Sequence, residues 1–130
     1  MSKTKVLWLL VAGTALGVGV ATASSPPGPP AGFKLKGDPV AGKALFSKHC
    51  ALCHGDSGNG RGLIKYDPPP RDLTDAKLMT PKSDWEVYRV VRDGGKAWGL
   101  APAMLAFQGK LDEKALQDVT TYVRSLAKAK

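Results

Sequence analysis

The chain has 130 residues, enough for one domain at the usual size of about 100 to 150 residues. Its 19 basic and 11 acidic side chains give a formal charge of +8, a balance that suits an anionic membrane or an acidic protein partner; the lysines are scattered and no nucleic-acid-binding motif accompanies them, so nucleic acid is excluded as the partner. Two cysteines and two histidines leave no second cluster from which a zinc shell could be completed.

Lys3 and Lys5 precede an apolar run from Val6 to Val20, and Ala21-Thr22-Ala23 supplies small residues at the cleavage positions. This is the plan of a secretory signal peptide over residues 1–23, with the mature chain beginning at Ser24. The alternative is an uncleaved anchor, since Val6 to Ala23 covers 18 positions, near the lower limit of roughly 17 to 25 for a spanning helix. Gly13, Gly17, Gly19 and the small-residue end favour cleavage, and then no stable membrane insertion remains. Export places the protein in a bacterial periplasm, and loss of Lys3 and Lys5 lowers its charge by two. Residues 24–37, with Pro26, Pro27, Pro29 and Pro30 close together, read as an extended spacer. The folded domain is expected over 38–130.

Asp38-Pro39 is an N-cap followed by proline at the first helical position. Val40, Ala41, Ala44, Leu45 and Phe46 give the helix an apolar stripe, and it runs into Cys50-Ala51-Leu52-Cys53-His54. That C-x-x-C-H spacing is the attachment signature of c-type haem. Two thiols one turn apart can each add to one of the two vinyl groups on one edge of a porphyrin, and the links are irreversible thioethers. A ring anchored at Cys53 brings its iron within reach of the next side chain, so His54 is the expected proximal ligand. Three other readings fit less well. A disulfide across four residues closes little chain entropy and leaves the histidine unexplained. His49, Cys50, Cys53 and His54 are too nearly contiguous for a tetrahedral zinc shell. A thioredoxin-like redox pair wants a preceding strand in a βαβ unit, and there is none.

From Gly55 to Gly62 the sequence GDSGNGRG favours turns, a loop expected to fold close against the haem rather than to cradle phosphate. Pro68, Pro69 and Pro70 continue it as rigid irregular chain. Ser83 and Glu86 form a capping box before a short amphipathic helix carrying Trp85, Val87, Tyr88, Val90 and Val91, stopped by Gly94-Gly95. A loop containing Trp98, Pro102 and Met104 leads to a last helix capped by Asp112, whose Ala115, Leu116, Val119, Tyr122, Val123 and Leu126 recur at three- and four-residue intervals. No segment reads as a strand. The fold class is all-α, with three to four helices wrapped around one covalently bound haem. A domain of about 90 residues has little core of its own, so the haem-free chain is expected to be largely unfolded.

The pattern from Asp38 to the C-terminus resembles the class I cytochromes c, the small mono-haem family. Gly42, Phe46 and Tyr122 match that family's glycine and aromatics at a crossing of first and last helices, and Cys50, Ala51, Cys53, His54 and Gly55 match its haem segment. The closing Tyr122-Val123-Arg124-Ser125-Leu126 resembles its usual ending. The resemblance implies a methionine as sixth iron ligand, in a Met-Pro-x-Phe setting; Met104-Leu105-Ala106-Phe107 matches except that proline is missing. Met79 is the rival sulfur and reads as packing. His49, beside Cys50 on the proximal side, is expected to be exposed and not to ligate.

The implied function is a mono-haem c-type cytochrome, a periplasmic one-electron carrier whose His54 and Met104 fill both axial sites, and not an enzyme. Its partners would be redox proteins, a reductase or oxidase, with acidic docking surfaces met through small transient interfaces by a monomer. Two alternatives stand beside it: a permanent haem subunit of a dehydrogenase or oxidase complex, and a haem peroxidase or gas sensor with an open sixth site, against which the single attachment motif argues. Arg71 and Trp98 are candidates to donate to the haem propionates; a solvated arginine and a core tryptophan are the alternative readings of the same two residues.

Overall fold

The computed structural model describes residues 27–128; the expected leader over 1–23 and its expected cleavage after Ala23 lie outside them. Five α-helices follow in chain order: α1 (Pro39–His49), α2 (Ala51–His54), α3 (Ala76–Met79), α4 (Asp84–Asp93) and α5 (Glu113–Leu126), with a 3-10 turn at Lys96–Trp98. Among the described residues there is no strand, only an isolated bridge between Gln108 and Leu111, and no helix long and apolar enough to cross a membrane. The all-α expectation holds.

Local sequence sets the helix ends. Asp38 accepts from the Val40 N–H at 2.8 Å, Ser83 and Glu86 complete the capping box, and Asp112 accepts from the Ala115 N–H at 2.8 Å. Each cap satisfies an amide that the first helical turn leaves without a partner. Gly94, at φ +80°, ends α4 where a side chain would be strained.

The core is a crossing of α1 with α5, and it depends on Gly42. A Cβ there would overlap the Asp118 carbonyl and come within 2.9 Å of Tyr122 Cβ, so only glycine lets the two backbones meet. One turn on, Phe46 is almost fully buried and packs edge-on to Tyr122, with ring centroids 5.3 Å apart. Val119, Val123 and Leu116 close the same face. Val40 departs from the predicted stripe: it is 78% exposed, because two residues of helix, about 200° of turn, separate it from Gly42 and aim it away from the crossing.

Residues 27–37 contain no helix or strand, yet they do not hang free as a spacer would. Phe33 packs against Trp85 and Tyr88 with centroids 5.0 and 5.2 Å away, and the Trp85 indole donates to the Pro27 carbonyl at 3.3 Å. The Lys36, Gly37 and Asp38 amides donate in turn to Gln117, Thr121 and Asp118 on α5. The prolines dictate extended backbone; the aromatic and the three amides dock it.

Candidate haem site

Both cysteines and His54 sit on one bend of backbone. Cys50 closes α1 and opens α2, and its carbonyl receives the N–H groups of Cys53 at 3.2 Å and His54 at 2.9 Å. The thiols are not joined to each other. Four-residue α2 would leave its last carbonyls bare; the glycine-rich loop meets them, with Gly60 donating to the His54 carbonyl (2.8 Å), Gly62 to Cys53 (3.2 Å) and Ile64 to Leu52 (3.1 Å). The loop therefore folds back on the motif itself through main-chain bonds.

His54 is half-buried, and its Nδ1 lies inside with no hydrogen-bond partner. Burial lowers its pKa; the nearby Arg71 backbone opposes this, without meeting Nδ1 in hydrogen-bond geometry. A lowered pKa favours the neutral imidazole, the form that can ligate metal, and with Nδ1 turned inward Nε2 is the nitrogen left available. Burial, and then the neighbouring Cys53, push the Cys50 thiol up to about 12. Cys53 Sγ donates to the Tyr66 hydroxyl at 3.8 Å.

The methionines separate cleanly. Met79 is buried in the core, and its carbonyl accepts from Arg124 Nη1 at 2.7 Å, so its side chain serves packing. Met104 is half-buried on the loop between α4 and α5, with its carbonyl accepting from the Gly95 N–H at 2.8 Å. His49 is half-buried rather than exposed, its ring edge-on to Phe107 at 6.1 Å; the loop after Met104 folds over it. Trp98 and Arg71, the expected propionate donors, stand in different surroundings. The Trp98 indole donates to Asp93 at 3.2 Å and lies under the Arg89 guanidinium at 3.9 Å, and the Arg71 residue is exposed. Asp93 is held below its ordinary range chiefly by Arg92, which binds it through two nitrogens.

These residues fit a covalently held haem. Leu52, Ile64 and Tyr66 beside the motif, and Leu100 and Leu105 around Met104, are large apolar groups left exposed by the protein, in the two segments that carry the expected ligands. An apolar macrocycle would cover such surface. A tetrahedral ion does not fit: among the described residues no three His, Cys, Asp or Glu side chains are grouped to hold one.

Known proteins agree with this reading. Residues 37–123 match the family model "Cytochrome C oxidase, cbb3-type, subunit III". The chain is 29% identical over 93 residues to the cbb3-type cytochrome c oxidase subunit FixP of a Bradyrhizobium species, covering 72% of this chain and 29% of that one. It is 31% identical over 86 residues to the subunit FixPc of Rhizobium leguminosarum bv. viciae, covering 66% and 27%. The chain thus spans less than a third of the length of these curated relatives. Cytochrome c6 from the diatom Phaeodactylum tricornutum superposes with a TM-score of 0.53 at 27% identity, over 72% of this chain and 98% of that one. A C-x-x-C-H bend, a class I cytochrome c fold and a family match from α1 into α5 converge: the chain belongs to the cbb3-type cytochrome c oxidase subunit III family and is a c-type cytochrome with covalently bound haem c.

Proposed function

We propose that this protein is a mono-haem electron carrier of the bacterial periplasm, exported by a cleaved signal peptide, in which Cys50 and Cys53 form the thioethers and His54 Nε2 and Met104 sulfur are the axial ligands. The haem supplies a one-electron ferrous/ferric couple. His54 contributes a neutral imidazole, and Met104 contributes a soft thioether that favours the ferrous state and raises the potential. With both axial sites filled by the chain, electron transfer is its activity rather than oxygen or peroxide chemistry. Its partners are redox proteins with acidic docking surfaces, met transiently by a monomer. The observation that carries this reading is the pairing of a thiol–thiol–imidazole bend with a half-buried methionine on a separately pinned loop.

Met104→Ala tests it. The ferric holoprotein should lose its sulfur-to-iron charge-transfer band, bind carbon monoxide or cyanide, and show a lower potential, with the haem still attached; Met79→Leu should change neither spectrum nor potential. An unchanged spectrum in Met104→Ala would return the sixth site to the peroxidase or sensor reading.

One second reading has its own support. The curated relatives are named as subunits of a cbb3-type oxidase, which favours a haem subunit built into an oxidase complex. Copurification with a membrane complex at high salt would establish it, and recovery as a free monomer would remove it.

A further inference from the structure

We infer that Gly94 and Gly95 are positioning residues for the sixth iron ligand, holding the Met104 main chain in a two-glycine cradle at the end of α4. The inference rests on Met104 being that ligand. The Gly95 N–H donates to the Met104 carbonyl at 2.8 Å, while the Gly95 carbonyl accepts from Leu100 at 2.9 Å. The Met104 N–H donates to Ala101 at 3.1 Å, and Phe107 donates to the carbonyls of Val91 at 3.2 Å and Arg92 at 3.1 Å. Both ends of the loop are thus tied to α4 or to the residue pair directly after it.

The cradle has no room for a side chain. A Cβ on Gly94 would stand 2.8 Å from the Ala106 nitrogen and 2.9 Å from the Met104 oxygen; one on Gly95 would overlap the Ala101 carbonyl and lie 3.1 Å from Met104 Cβ. All but the last are backbone atoms of the loop, which cannot swing away as a side chain could. Gly94 also holds φ +80°. Leu105 and Ala106, either side of the closest approach, are exposed and give the loop no packing of their own. The Met104 backbone is therefore fixed by the glycine pair and its hydrogen bonds, beside the packing of the Met104 side chain against the core.

The sulfur–iron bond and the Gly95–Met104 hydrogen bond should then stabilise each other. In Gly95→Ala holoprotein the ferric charge-transfer band should vanish at a pH about one unit lower than in the wild type, and imidazole should bind the iron about tenfold more tightly. Gly42→Ala, a clash at the distant helix crossing, should lower the melting temperature without moving either readout. A second measurement does not need the glycine variant to fold: in Met104→Ala holoprotein the Gly95 amide should exchange with solvent about tenfold faster, and the buried α5 residue Thr120 should show no change. If Met104→Ala itself leaves the wild-type band intact, the ligand assignment fails and the inference falls with it. If Met104→Ala removes the band, but Gly95→Ala acts only on melting temperature as Gly42→Ala does, or the Gly95 amide exchanges as in the wild type, the ligand assignment stands and the cradle is merely structural.

Discussion

The helix crossing and the two loops that flank the haem motif are held together by different forces. At the crossing, Gly42, Phe46, Tyr122, Val119 and Val123 exclude water side chain against side chain. In the loops the ties are main-chain hydrogen bonds, and Leu52, Leu63, Ile64, Leu100 and Leu105 stay exposed. One region is complete as protein; the other is complete only with its cofactor. The difference shows where stability resides before and after haem attachment, since apolar burial is the dominant favourable term in folding and hydrogen bonds contribute only modestly.

The sharpest way to break that contrast is to remove the cofactor. Cys50→Ser or Cys53→Ser should abolish stable covalent attachment and leave little folded protein, seen as loss of haem stain and of far-ultraviolet helical signal. A normal, stable haem-free fold would mean that the crossing alone suffices. Gly42→Ala should cost about 2–3 kcal/mol by overpacking the crossing, measured by denaturant unfolding of the holoprotein, with the haem spectrum unchanged. Phe33→Ala should cost about 1–2 kcal/mol, since its ring is only half-buried on Trp85 and Tyr88. Ser83→Ala, removing one half of the capping box, should cost about 1 kcal/mol. Val40→Ala should fall within about 0.5 kcal/mol, as for other exposed positions.

A pH titration sharpens the same contrast. Asp118, buried at the crossing, is held below its ordinary value of 3.8 chiefly by the Lys114 ammonium at 2.6 Å, with the Asp38 amide adding to the effect. Because the folded pKa is the lower one, its contribution is fully present above the unfolded value and is lost as pH falls through the folded one. Wild-type stability should therefore drop below about pH 4 more steeply than that of Asp118→Asn, whose side chain does not titrate there.

Most of the architecture was legible because it is local. Caps at Asp38, Ser83 and Asp112 announce their helices, and the C-x-x-C-H bend announces its cofactor. What could not be read depends on approach between distant segments. Nothing near Phe33 says that it docks 52 residues away on Trp85, and composition alone makes the proline-rich stretch a spacer. Trp98 offered a donor, yet its partner is Asp93, five residues before it. Asp118 was the readable omission: a carboxylate three residues after Ala115 and four before Tyr122, in register with both on an apolar face, signals a buried partner. Gly94-Gly95 read as a stop signal, and its second role emerges only when Met104 is seen against it.

The crossing joins segments about 80 residues apart, α1 near the start of the domain and α5 at its end. A ribosome or an export channel delivers α1 first, so the motif that follows it emerges long before the helix that completes the crossing exists. During that interval Cys50 is open to water with an ordinary thiol acidity near about 8.5 and is available to a haem vinyl group. The order of synthesis thus exposes the thiols before the crossing can form, and haem attachment, which the closed domain needs, falls in that period.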